Sequence, residues 1–154
     1  MRKFLVFTVI LFSFIVIGCS KDEGPVIEQP PTSLSIKTYK TETLSDGSKI
    51  EKEIKCFFNI FLIPDGITVK DEQSFSDITK GYLIGTNGEQ IKRTYLEHGY
   101  SFVQLDIEPG KYFVSVATEN ARIYSNKIID VPAHKITELK KVFVSLYGYG
   151  LVDW

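Results

Sequence analysis

The stretch that decides the fold reads Phe102-Val103-Gln104-Leu105-Asp106-Ile107-Glu108-Pro109-Gly110-Lys111-Tyr112-Phe113-Val114-Ser115-Val116. Val103, Leu105 and Ile107 alternate with other residues, the period-2 signature of a strand with one face in a core. Glu108-Pro109-Gly110-Lys111 interrupts the run and sets Pro and Gly where a type II turn wants them. Tyr112, Val114 and Val116 then resume it. As a two-residue hairpin the segment would pair Ile107 with Tyr112, Leu105 with Val114 and Val103 with Val116, while Glu108 would face Lys111. Only Asp106 opposite Phe113 is mixed. The same alternation serves a corner at which the chain crosses between two sheets, and the sequence leaves both connections open.

Working outward, the pattern repeats. Upstream, Leu34, Ile36 and Thr38 alternate with Ser35, Lys37 and Tyr39, and Ser45-Asp46-Gly47-Ser48 is a turn. Ile54, Cys56, Phe58, Ile60 and Leu62 are all apolar, while the residues between them begin polar (Glu53, Lys55) and end apolar (Phe61, Ile63). Such a strand starts half-exposed and finishes covered on both faces, which predicts a central position. Pro64-Asp65-Gly66 ends it. From 67 to 80 the pattern is mixed: Ile67 and Val69 fit a strand, and Asp71 to Thr79 fits one helical turn. Tyr82-Leu83-Ile84 is a short strand before the turn Thr86-Asn87-Gly88-Glu89. Downstream, strands are expected near 123–131 and 138–146. With 8 Tyr and 11 Phe and no sustained helical period, residues 34–154 read as one all-β domain, an antiparallel β-sandwich of about seven strands.

The N-terminus has another character. Met1-Arg2-Lys3 gives a positive start, and Phe4 to Ile17 is apolar but for two hydroxyls. As a helix those residues span roughly 21 Å, short of a ~30 Å bilayer core, so the segment reads as a signal peptide over residues 1–18. Residues 19–33 follow as a tether, Pro-rich at Pro25, Pro30 and Pro31. Arg2 and Lys3 are two of the chain's 18 basic side chains and none of its 19 acids precedes Asp22, so the mature part has 16 basic against 19 acidic groups. That balance excludes the basic face a nucleic-acid binder needs.

Two resemblances carry the reading further. Val16-Ile17-Gly18-Cys19 resembles the lipobox of bacterial lipoproteins. The resemblance implies cleavage before Cys19, a diacylglyceryl group such as one carrying palmitate on its sulfur, and acylation of the new amine. Each buried CH₂ contributes ~0.8 kcal/mol, so two or more chains give durable anchoring where one does not. Ser20, rather than Asp, resembles a signal for the outer membrane, and Lys21-Asp22-Glu23 resembles the export signal of Bacteroidetes-type surface lipoproteins. The expected address is therefore the outer membrane, lipid-anchored, at the cell surface, with a membrane contact made through the anchor and an envelope protein or glycan as partner.

Asn87-Gly88-Glu89, Phe102-Val103-Gln104-Leu105 and Pro109-Gly110-Lys111-Tyr112 with Val114 and Val116 resemble the carboxypeptidase regulatory-like (transthyretin-like) domains, seven-stranded prealbumin-like sandwiches. The similarity runs over residues 50–146. Fibronectin type III domains share a related corner, but Tyr112 stands one position too early for theirs, and no early-strand Trp is present. The resemblance implies a binding, adhesion or assembly module, not an enzyme. The Lys-to-Asn/Asp crosslink of some adhesin modules finds no Asn or Asp in 139–147. The Tyr-Arg-Gly-Ser tail of the hydroxyisourate hydrolases is replaced by Leu151-Val152-Asp153-Trp154.

Cys19 is the one site residue the sequence assigns, as the lipid attachment point; no catalytic, cofactor or metal residue is assigned. His98 and His134 fit turns and are 36 residues apart, without the spacing of metal ligands. Cys56 falls among the apolar residues of the central strand, where a thiol acts as a small hydrophobe. Asp71-Glu72 reads as a solvated charge cluster. Tyr147-Gly148-Tyr149-Gly150 and Trp154 can stack on sugar rings or pair with a partner's sheet, or else pack over the domain's own open end. The competing function class is a small hydrolase or glycan-processing accessory with its site in residues 64–100.

Overall fold

The computed structural model describes residues 29–154; the expected signal peptide (1–18), Cys19 and the expected tether through residue 28 lie outside them. Strands take up 54% and helix 5% of the described residues, as the alternating patterns predict. The elements run β1 (Ser33–Thr43), β2 (Lys49–Glu53), β3 (Cys56–Ile63), α1 (Phe75–Lys80), β4 (Tyr82–Ile84), β5 (Gln90–Lys92), β6 (Tyr95–Gly99), β7 (Ser101–Leu105), β8 (Gly110–Thr118), β9 (Ile123–Val131), β10 (Ile136–Phe143) and β11 (Gly150–Leu151).

Two sheets face each other. In the first, β1 pairs with β10 on one side and, on the other, with β7 and then β2. The second has the order β11-β9-β8-β3-β6, so β3 is central as its two-sided apolar pattern predicts. The strand count and pairing differ from the seven antiparallel strands expected. β1 lies parallel to β10, and β9 parallel to β11. A parallel pair needs a long crossover, which the whole domain between β1 and β10 supplies. Of the four strands without a clear signal, β2 has every residue exposed, β5 and β11 are three and two residues long, and β6 is a largely exposed edge. None has room for a buried alternation.

The Pro109-Gly110 connection is a corner and not a hairpin: β7 pairs with β1, whereas β8 pairs with β3 and β9 in the other sheet. The type II expectation fails with it. The left-handed residue is Asp106 (φ 54°), and Gly110 is not in that region. Gly110 has a packing reason instead, since a Cβ there would stand 3.0 Å from Leu62 Cδ1. Tyr112, fully buried, ties the corner by donating its hydroxyl to the Glu108 carbonyl at 2.8 Å. Burial, aided by Tyr95 and Glu108, pushes that phenol up to about 12.

The main core fills the space between the sheets with Leu34, Ile36, Phe58, Ile60, Phe102, Val114, Val116, Ile129 and Phe143 among others. A second core lies on the outer face of β3 and β8. There Phe61, Ile63 and Phe113 meet Val69, Ile78, Leu83 and Ile91 from the segment 64–94. This cover explains why β3 turns apolar on both faces toward its end. Gly81, in the left-handed conformation (φ 93°), stops α1 and returns its N–H to the Ile78 carbonyl.

The last residues close the open side between β9 and β10. Gly150 N–H donates to Arg122 O and Val152 N–H to Tyr124 O, and Trp154 packs on the main core. Lys141, only 3% exposed, donates from Nζ to the Asp153 carbonyl and lies 4.9 Å from the Phe143 ring centroid.

Candidate functional site

β1 starts at Ser33, the last residue of the expected tether, and Thr32 accepts the His134 N–H at its hydroxyl and the Ile107 N–H at its carbonyl. That is the end of the sandwich at which the described residues begin. At the far end lie the turns 44–48, 53–55, 119–122 and 144–149, together with Tyr100.

Three tyrosines stand out from the far end. Tyr147 is 95% and Tyr149 79% exposed, and Tyr100 is about half exposed. Arg122 lies 5.2 Å from the Tyr149 ring centroid and Lys55 5.5 Å from that of Tyr100. A shallow cavity of about 630 Å³ opens beside Tyr100, bordered by Lys40, Lys52, Lys55, Glu53, Glu119 and Leu146. Aromatic faces with mixed charges suit stacking and hydrogen bonding to a polar partner. The aromatic tail thus divides: Trp154 packs down on the core, and the two Tyr-Gly steps do not.

His98 and His134 lie at opposite ends of the sandwich. His98 is in β6, not the turn expected; the edge strand leaves it exposed and hides the pattern. It stacks on Phe57 at 4.3 Å and has Glu119 3.7 Å from Nε2, both side chains substantially exposed. His134 is in a turn with φ 56°. No group of three His, Cys, Asp or Glu side chains able to hold a metal occurs among the described residues. Cys56 is fully buried in the main core, and burial pushes its thiol up to about 11. A thiol so shifted is protonated near neutral pH and is a poor nucleophile. Asp71 and Glu72 are exposed; the Asp71 backbone carbonyl accepts the Asn126 amide at 2.9 Å.

Residues 64–100 do contribute to a cleft, whose one trace in the linear pattern is the polar Asn59 inside an apolar strand. α1 and β6 flank the outer face of the second sheet and leave a groove of about 310 Å³ between Phe57, Phe75, Leu96, Ala117 and the polar pair Asn59 and Arg93. Phe75 is itself stacked on Tyr124 at 4.4 Å. No acid and no histidine lines this groove, so a general acid–base pair is not assembled there. Cys19 lies outside the described residues.

No protein-family model matches this chain, and no curated protein and no solved structure matches it either.

Proposed function

We propose that this chain is a lipid-anchored outer-membrane protein, displayed at the cell surface, whose prealbumin-like sandwich is a non-catalytic binding, adhesion or assembly module. Lipid attachment at Cys19 is supported by the short apolar leader and by Gly18-Cys19 at its end. The fold assignment is supported by a frame of three strands (β7, β1, β10) against four (β6, β3, β8, β9), joined by the Pro109-Gly110 corner on which the family resemblance rests. The observation that carries the reading is the exposure of three tyrosines away from the expected tether, Tyr147 and Tyr149 bordering one cavity and Tyr100 another. A domain held at one end presents its other end to partners, and large exposed aromatics there are recognition groups more than core.

The test uses three full-length chains: wild type, Cys19→Ser, and a Tyr100→Ser/Tyr147→Ser/Tyr149→Ser triple variant. Cells are fed radiolabelled palmitate and solubilised envelopes are submitted to affinity capture. Wild type and the triple variant take up label and Cys19→Ser does not; wild type retains an envelope partner that the triple variant loses. Equal labelling of wild type and Cys19→Ser overturns the anchor. Identical capture by wild type and the triple variant overturns the binding end.

A further inference from the structure

We infer that the groove between α1 and β6 is a binding site for a small organic acid, a carboxylate carried on a flat apolar body of about one ring. The site stands apart from the tyrosine-rich end and is argued on its own residues.

The walls set the shape. Phe57 is stacked on His98 and Phe75 on Tyr124, so each wall ring packs against a second ring. Ala117, almost wholly buried, contributes a small side chain at the sheet surface. The groove measures about 310 Å³. An apolar cavity of ~150 Å³ is enough for benzene, so a ring with a short acid arm fits.

The polar groups set the charge. Arg93 is half-buried, and no carboxylate lies within 4.0 Å of it among the described residues. Its Nη1 donates to Asn59 Oδ1 at 2.8 Å and, at the long distance of 3.5 Å, to the Ile78 carbonyl. A guanidinium has five N–H donors, so most of its hydrogen-bonding capacity is unspent. The head lies over Gly81, where a Cβ would stand 3.5 Å from its Cζ and Nη2, and the Arg93 backbone N–H donates to the Gly81 carbonyl. Asn59 is 3% exposed, its oxygen is taken by Arg93, and its amide nitrogen has no acceptor among the described residues. Directly across the sheet from Asn59, Ser115 is buried with its hydroxyl unpartnered, and Asn126 beyond it has an unpartnered Oδ1.

Ser115 and Asn126 do not line the groove; Asn59 and Arg93 do, and polar groups on a sheet face otherwise covered by apolar residues are costly unless something satisfies them. Here the groove holds a half-buried guanidinium and an amide N–H₂, both donors, with no anion supplied by the described residues. A planar carboxylate is the group that matches such a fork in two parallel hydrogen bonds. The aromatic walls exclude a bare inorganic anion as the best ligand, because they would remain unfilled.

The probe pair is phenylacetate and its neutral isostere phenylacetamide, each titrated into the full chain while backbone amide resonances are followed. Phenylacetate is expected to shift Phe57, Leu96 and Ala117 saturably, with Kd on the order of 1 mM for so small a ligand, and phenylacetamide to bind at least tenfold more weakly. Arg93→Gln is expected to remove that preference. Leu96→Asp, at an exposed position on the groove's rim that belongs to neither core, removes one apolar wall for both ligands and adds a charge that repels only the acid, so it is expected to weaken phenylacetate about tenfold more than phenylacetamide. Equal affinity for acid and amide, shifts elsewhere on the domain, or no saturable shift with phenylacetate overturns the site; should Arg93→Gln fail to fold, the Leu96→Asp result decides.

Discussion

The two cores of this domain are built from the same kinds of side chain but in different ways. The one between the sheets is assembled from strands of five to eleven residues, and its members come from both ends of the described chain. The one under α1 and the β4–β5 hairpin gathers single residues (Val69, Ile78, Leu83, Ile91) from short elements against a sheet that is already formed. The difference teaches that the sandwich supports the cover. The cover in turn shapes the outer face of β3 into a groove and leaves the inner face to hold the fold.

The largest way to break the comparison is inside the main core. Phe58→Ala removes a fully buried ring and is expected to cost about 3–5 kcal/mol, lowering the urea midpoint of the whole domain. Ile78→Ala strikes the cover. It is expected to cost about 2 kcal/mol, with faster amide exchange across 67–94 and little change in β8 or β9. A loss of equal size, spread over the whole domain, would mean that the two cores are one.

That contrast also explains what was legible in advance. β1, β3, β4, β7, β8, β9 and β10 announce themselves because each has alternating or continuous apolar residues next to a turn. The central position of β3 follows from Phe61 and Ile63 alone. What covers those two is not legible, since Val69, Ile78, Leu83 and Ile91 have no common period and meet only in three dimensions. The choice between hairpin and corner at Pro109-Gly110 is invisible, and the inward-facing set expected of the strand before it is reversed: β7 pairs with β1 and turns Phe102 into the core at 4% exposure, leaving Val103 and Leu105 about 60% exposed, and only Ile107, past the left-handed Asp106, is buried as expected. The groove escaped for want of a motif. Asn59 is a lone polar residue in an apolar strand, and Arg93 is an ordinary basic residue before β6; their meeting at 2.8 Å depends on α1 being in place. The one visible hint was Asn59 itself, a polar residue in a strand predicted to be covered on both faces.

Smaller tests sharpen the account. Tyr112→Phe keeps the ring and deletes the corner hydrogen bond to Glu108; it is expected to cost about 1 kcal/mol by chemical denaturation, without moving the groove resonances. Lys141 gives the smallest effect. Burial holds its ammonium below the ordinary value of 10.5, against the opposing pull of Asp153. Between the lowered folded value and 10.5 the unfolded chain binds more protons than the folded one, so this group makes stability rise with pH across that window. The difference in denaturation midpoint between wild type and Lys141→Met, followed upward from neutral pH, is expected to grow in favour of wild type. A constant difference would show that Lys141 is as easily charged in the fold as in water.

Native-state hydrogen exchange tests the relation between sandwich and cover most directly. Amides of Tyr82–Ile84 and Gln90–Lys92 are expected to exchange through a partial opening at lower free energy than those of Tyr112–Ala117 and Ile123–Val131, which open only when the whole domain unfolds. One common opening free energy for both groups would contradict the account.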